Sequence, residues 1–156
     1  MKKLFPLCIF MSLIFSLSRD AIGKEIPLPA AEAYKKAELV FRNMGMMPIY
    51  RDNDQMTIKT DRSLTKLTKE ECDCGSRFGF PYIEDRNVKT VVAYQVQFDK
   101  IDDHNCNMDL KIIIDGYVDV YEGASSADVK TSKSGRKLNC KTTGVLEKKF
   151  EELLLK

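Results

Sequence analysis

Residues 90–121 read TVVAYQVQFDKIDDHNCNMDLKIIIDGYVDVY and contain two segments in which apolar and polar residues alternate. Apolar residues share the even parity in both segments: Val92, Tyr94, Val96, Phe98, Met108, Leu110, Ile112, Ile114, Val118 and Val120. Alternation with period two is typical of strands that have one buried face and one exposed face. Because parallel strands are usually buried on both faces, the pattern predicts an antiparallel pair. The polar turn formers of residues 101–107 predict a hairpin loop between the strands.

Helical spacing flanks this hairpin at both ends of the chain. The apolar positions are Ala30, Ala33, Ala37, Val40, Phe41 and Met44 near the start, and Leu146, Phe150, Leu153 and Leu154 near the end. Pro29 and Gly45 suit the two ends of the first helix. Residues 47–60 predict another hairpin around a polar turn. The sequence therefore predicts one α+β domain over residues 24–156, an antiparallel sheet of about four to five strands with the N- and C-terminal helices packed on one face.

Two connections, residues 61–89 and 122–141, lack a clear period. In the first, Phe78, Phe80, Tyr82 and Ile83 are predicted to pack under the edge of the sheet. The alternative is an exposed binding surface formed by Arg77, Phe78, Phe80 and Tyr82, because arginine and aromatic residues are enriched at the centres of interfaces. The second connection is rich in glycine, serine and lysine, which predicts a mobile, solvated loop.

The first 23 residues have the pattern of a secretory signal peptide. Lys2 and Lys3 make a basic start, an uncharged apolar run covers residues 4–17, and small residues occupy positions 21 and 23. That run is shorter than the ~20 residues that a membrane-spanning helix needs. We therefore expect cleavage after Gly23, a periplasmic or secreted protein, and membrane contact only through this segment before cleavage.

The charge of the chain reflects this leader. The whole sequence has 25 Lys and Arg and 23 Asp and Glu; Lys2, Lys3, Arg19 and Asp20 lie in the leader, which leaves 22 of each sign over residues 24–156. A neutral chain lacks the positive field that attracts nucleic acid. Nucleic acid is therefore not a predicted partner.

Four cysteines follow the leader: Cys72, Cys74, Cys106 and Cys140. An even number in an exported chain predicts disulfides. Since a bridge between Cys72 and Cys74 would close a very small ring, we expect each of them to bridge to Cys106 or Cys140, with the pairing left open. The alternative is a zinc site that includes His104, although the cysteine spacing lacks the usual two-residue gaps. A Cys-x-x-Cys redox pair is not present in the sequence.

Signals for catalysis are few. The sequence has no glycine-rich phosphate loop, no Gly-x-Ser-x-Gly and no paired-histidine zinc helix. The sole histidine, His104, is predicted to be a surface residue, and Asp99, Asp102 and Asp103 are predicted to form a solvated turn. No catalytic residue, metal or cofactor is predicted. A small exported binding protein is the favoured function, with another envelope or extracellular protein as partner, and a small exported hydrolytic enzyme is the alternative.

One stretch resembles a known family. Residues 30–61 have a helix with Ala33-Tyr34-Lys35-Lys36-Ala37, then Gly45, a strand at Pro48-Ile49-Tyr50, a turn, and a strand at Thr57-Ile58-Lys59-Thr60. This order resembles the periplasmic domains of bacterial envelope proteins of the BamC type, although this chain has Asn53, Asp54 and Gln55 where those proteins have a glycine. The resemblance implies a periplasmic accessory or assembly protein that binds other proteins and is not an enzyme.

Overall fold

A computed structural model describes residues 23–121 and 133–156 of the chain. Apart from Gly23, the predicted signal peptide lies outside these residues. Within them, no helix has the length and apolar character needed to cross a membrane. The fold is α+β, as predicted, with a large antiparallel sheet and two helices.

The described elements, in chain order, are β1 (Lys24–Ile26), α1 (Ala30–Asn43), β2 (Pro48–Asp52), β3 (Thr57–Thr60), β4 (Ser63–Leu64), β5 (Cys72–Asp73), β6 (Ser76–Arg77), β7 (Phe80–Pro81), a 3-10 helix (Tyr82–Glu84), β8 (Val88–Lys100), β9 (Cys106–Tyr121), β10 (Lys133–Asn139), β11 (Lys141–Thr142) and α2 (Val145–Leu154). In the described part of the chain, seven strands form the main sheet, rather than the predicted four to five. Its order is β1-β9-β8-β3-β2, with β4 also beside β8 and β10 also beside β9. β5 pairs with β11, and β6 pairs with β7, in two small separate sheets.

The long hairpin of β8 and β9 is the centre of the sheet. The two strands pair from Val88 opposite Val118 to Lys100 opposite Cys106. The predicted parity is confirmed, because the buried apolar side chains include Val92, Tyr94, Val96, Phe98, Met108 and Ile114. Ile113, an apolar residue of the opposite, odd parity, is exposed.

Each helix has an aromatic side chain near Tyr94 of the hairpin. The ring of Phe41 in α1 is 5.7 Å from the Tyr94 ring and 5.0 Å from the ring of Phe150 in α2, measured between centroids. The Phe150 ring is 6.5 Å from the Tyr94 ring. Burial of each aromatic side chain contributes on the order of 2 kcal/mol to the stability of the fold. This cluster therefore strongly stabilises the packing of the helices against the sheet. Gly45, with φ of +73°, follows α1 as predicted.

The prediction of a loop over residues 122–141 is wrong for its second half. Residues 122–132 lie outside the described part of the chain, but residues 133–139 form β10, which pairs with β9. Only Leu138 supplies a buried apolar side chain there, so no alternation marks the strand. The buried carboxylate of Asp115 in β9 forms ion pairs with Lys137 at 2.9 Å and with Arg62 at 2.8 Å. Backbone pairing with β9 and the ion pair between Lys137 and Asp115 hold β10 in place without an apolar face.

Candidate binding surface

The most exposed aromatic residues of the described chain lie on a short hairpin, residues 76–81, called here the aromatic hairpin. Ser76 pairs with Pro81 and Arg77 pairs with Phe80, so Phe78 and Gly79 form a two-residue turn. Their φ angles are +52° and +84°. Positive φ at both central residues defines a type I′ turn, which usually begins with asparagine or glycine. A left-handed backbone costs a bulky residue roughly 1–2 kcal/mol.

The two phenylalanines of the aromatic hairpin face away from the core. Phe78 is 89% exposed and Phe80 is 77% exposed. The guanidinium carbon of Arg77 lies 5.3 Å from the centroid of the Phe78 ring, in cation–π contact. The expected packing under the sheet edge is therefore wrong for Phe78 and Phe80, which are exposed on a two-stranded sheet separate from the main sheet.

The base of the aromatic hairpin, by contrast, is held in place. Tyr82 and Ile83 are partly buried against the core, as predicted for them. The backbone N–H of Tyr82 donates to the Gly75 carbonyl at 2.9 Å, and the N–H of Gly75 donates to Asp73 Oδ1 at 2.7 Å. Cys74, directly before Gly75, is bridged to Cys140. An exposed tip on a tethered base loses little conformational entropy on binding.

An open cleft begins where the aromatic hairpin ends. It has a volume of about 760 Å³ and is lined by residues 64–70 and 83–90 apart from Asn87. Its apolar lining includes Leu64, Leu67, Ile83 and Val88. Leu64 is 72% exposed, and Lys69 forms an ion pair with Glu84 at 2.9 Å on the rim. An apolar surface with a charged rim is typical of protein interfaces. The role of Leu64 could not be predicted from the sequence, because an isolated leucine in an irregular segment carries no periodic signal.

Residues 23–121 and 133–156 contain one disulfide, Cys74–Cys140, where two were predicted. Cys72 and Cys106 are free thiols, and both are buried. Cys140 Sγ lies beside Gly116 of β9, which is ten residues further along that strand than Cys106. At ~3.3 Å per residue, β9 places Cys106 roughly 30 Å from Gly116 and the neighbouring Cys140. Cys106 is therefore too far away to form a disulfide with Cys72.

The hairpin loop between β8 and β9 holds the remaining candidate groups. His104 is exposed, as predicted, and its backbone N–H donates to Asp102 Oδ1 at 2.7 Å. The side-chain amide of Asn105 is the main cause, with the loop N–H groups, of a lowered pKa at Asp102. Asp103 pairs with Lys100 at 2.7 Å. Across the described residues, no group of three or more His, Cys, Asp or Glu side chains is placed to hold a metal. These contacts are those of a solvated turn.

Comparison with known proteins found no family model, no curated protein and no solved structure that matches this chain. The function is therefore inferred from the geometry of the aromatic hairpin and its surroundings.

Proposed function

We propose that this chain is an exported binding protein that docks a protein partner through the aromatic hairpin. The observation that carries the proposal is the exposure of Phe78 and Phe80 on a turn that Phe78 adopts only at an energetic cost. Strained backbone of this kind is concentrated at functional sites. An asparagine at position 78 would form the same turn without that cost, so the structural role alone does not account for a phenylalanine.

The chemistry of the aromatic hairpin fits a protein partner. Arginine and aromatic side chains are enriched at the energetic centres of protein interfaces. Burying one phenylalanine side chain against a partner is worth on the order of 2 kcal/mol, and the hairpin offers two. The neighbouring cleft extends the apolar surface through Leu64 and adds charged groups at its rim. A partner that covers both gains an apolar centre with a polar border.

The two faces of the main sheet also favour the aromatic hairpin as the docking site. We propose that α1 and α2 cover one face of the sheet, as their shared contact with Tyr94 suggests. The opposite face then carries cross-strand pairs such as Gln95 with Lys111 and Gln97 with Asp109. These pairs are polar, and the most exposed large apolar side chains of the described residues are Phe78 and Phe80, so apolar contacts with a partner concentrate at the aromatic hairpin.

Export is supported by two independent features. The leader of basic start, apolar run and small residues is that of a secretory signal peptide. The Cys74–Cys140 disulfide is typical of proteins in an oxidising compartment. We propose a periplasmic or secreted location, and the resemblance of residues 30–61 to BamC-type domains favours an accessory role among envelope proteins.

Photo-crosslinking in the native cells tests the proposal. A photo-reactive phenylalanine analogue replaces Phe80 in the full-length chain, and a control chain carries it at Ile49, which is 67% exposed on β2. We expect one discrete protein adduct from position 80 and none from position 49. Equal adducts from both positions would show that the aromatic hairpin is not the docking site.

Two substitutions then separate binding from folding once the adduct is identified. Phe80→Ala should weaken the purified complex about tenfold or more with an unchanged melting temperature. Phe78→Asn should also weaken the complex but raise the melting temperature by a few degrees, because the turn is relieved of ~1 kcal/mol or more. A Phe78→Asn protein that binds with full affinity, or a Phe80→Ala protein that unfolds, would contradict the proposal.

A further inference from the structure

Three cysteines meet at the pairing of β5 with β11. Cys72 lies opposite Thr142 and Asp73 lies opposite Lys141. Cys74 and Cys140 follow as the next pair and form the disulfide. Because residues two apart in a strand share a face, Cys72 lies on the same side as Cys74. The two sulfur atoms are 3.9 Å apart, in contact.

We propose that Cys72 is an internal nucleophile for the Cys74–Cys140 disulfide, and that their exchange releases Cys140 as a reactive thiol. In this step the Cys72 thiolate attacks Cys74 Sγ. A Cys72–Cys74 bond forms, the Cys74–Cys140 bond breaks, and Cys140 leaves with the electron pair as a thiolate. The proton lost from Cys72 passes to solvent and can return on Cys140. The exchange consumes no oxidant or reductant.

The two bridged forms differ in stability and in accessibility. A Cys72–Cys74 bridge closes a small ring, so Cys74–Cys140 is the resting form. Cys140 is half-buried, whereas Cys72 and Cys74 are buried. Released Cys140 is therefore the sulfur that a second molecule can reach. The chemical class of that molecule is a disulfide, with which the Cys140 thiolate forms a mixed disulfide and expels a thiolate.

The surroundings of Cys72 keep the exchange slow at neutral pH. Burial above all, then the carboxylates of Glu71 and Asp73, raises the pKa of the Cys72 thiol to about 11. From β11, Lys141 faces Asp73, and Thr142 opposite Cys72 donates to Glu147 of α2 at 2.6 Å. Since only the thiolate attacks, the rate should rise about tenfold per pH unit below this pKa.

Local opening is a second control on the rate. β5 and β11 are two residues each, so few backbone hydrogen bonds join the two strands. The N–H of Thr143 donates to the Glu71 carbonyl at 3.2 Å, and the Thr143 hydroxyl donates to the Glu70 carbonyl. So short a pairing opens at a much lower free energy than the whole fold. The disulfide exchange can therefore take place without unfolding of the whole protein.

Oxidised glutathione is the probe for this exchange. The folded protein is incubated with it between pH 7 and pH 9, acid stops the reaction, and N-ethylmaleimide blocks the remaining thiols. The protease Asp-N then cuts before Asp73 and separates Cys72 from Cys74, so mass spectrometry assigns every sulfur. We expect glutathione on Cys140 together with a Cys72–Cys74 bridge, at a rate that rises about tenfold per pH unit.

Matched variants identify the nucleophile. Cys72→Ala should abolish the glutathione adduct on Cys140, whereas Cys106→Ala, which removes the other buried free thiol, should leave its rate unchanged. Three results would overturn the proposal: an adduct on Cys140 at the wild-type rate in Cys72→Ala, glutathione on Cys74 with a Cys72–Cys140 bridge, or an intact Cys74–Cys140 bridge after prolonged incubation of the wild-type protein at pH 9. If the Cys72→Ala variant does not fold, the result for the wild-type protein alone tests the proposal. None of these outcomes depends on the aromatic hairpin binding a partner.

Discussion

Reduction of the Cys74–Cys140 disulfide should lower the free energy of unfolding by about 4 kcal/mol. The bridged residues are 66 positions apart in the chain. In the chain-entropy description, opening a loop of that size restores roughly 15 cal/mol/K to the unfolded chain, or about 4 kcal/mol at 25 °C. For a chain of this length, we expect the melting temperature to fall by roughly 10 °C.

Urea unfolding followed by circular dichroism measures the effect, with and without a phosphine reductant. Reduction leaves every side chain in place, so no cavity contributes to the difference. The double variant Cys74→Ala/Cys140→Ala is the control, because the reductant has no bridge to open in it. Cys106→Ala should keep the full difference between the oxidised and reduced protein, since Cys106 is a free thiol.

A difference below about 1 kcal/mol, with the same urea dependence in both states, would refute this reasoning. It would mean that the bridge does not restrict the unfolded chain, and that the loop-entropy description does not apply to residues 74–140. A large difference in the double variant would instead show that the reductant acts elsewhere.

Two further predictions concern the core and its titration. Gly116→Ala should destabilise the fold by ~1–3 kcal/mol, because the added Cβ would lie 2.7 Å from Cys140 Sγ and 3.1 Å from Leu138 Cβ, whereas Gly135→Ala, with no atom within 4 Å, should be near neutral in the same urea titration. Burial, with smaller effects of Glu71 and Glu147, raises the pKa of Tyr94 to about 12, so the folded state favours its neutral form. Tyr94 therefore contributes its full stabilisation of the folded state below about pH 10. This contribution, on the order of 2 kcal/mol, is lost between pH 10 and pH 12. Tyr94→Phe should remove that part of the pH dependence; an unchanged slope would show that Tyr94 does not cause it.

Local patterns correctly predicted the two helices and the two hairpins within residues 47–60 and 90–121. The alternation of residues 90–121 predicted both β8 and β9 and the buried parity, because a strand with one covered face needs an apolar residue at every second position. Gly45 was correctly predicted to follow α1, since its left-handed backbone is favourable in glycine. β10 was missed because pairing with β9 satisfies its backbone while only Leu138 is buried.

The candidate site was predicted only in composition. Arg77, Phe78, Phe80 and Tyr82 were selected as an alternative binding surface because of their residue types, whereas packing under the sheet edge was expected for the three aromatic residues. Phe78-Gly79 is not a common type I′ turn pair, so the sequence carried no hairpin signal there. The structure separates the exposed Phe78 and Phe80 from the partly buried Tyr82.

By itself, the sequence determined the α+β class, the inward face of the central hairpin and the helical stripes, since these depend on the spacing of neighbouring residues along the chain. Only the tertiary structure decided which cysteines bridge and which aromatic side chains are exposed. Cys74 meets Cys140 because β5 pairs with β11 across 66 positions of the chain, and Cys106 is kept far away by the length of β9. Such pairings depend on contacts between distant segments, which local spacing does not encode.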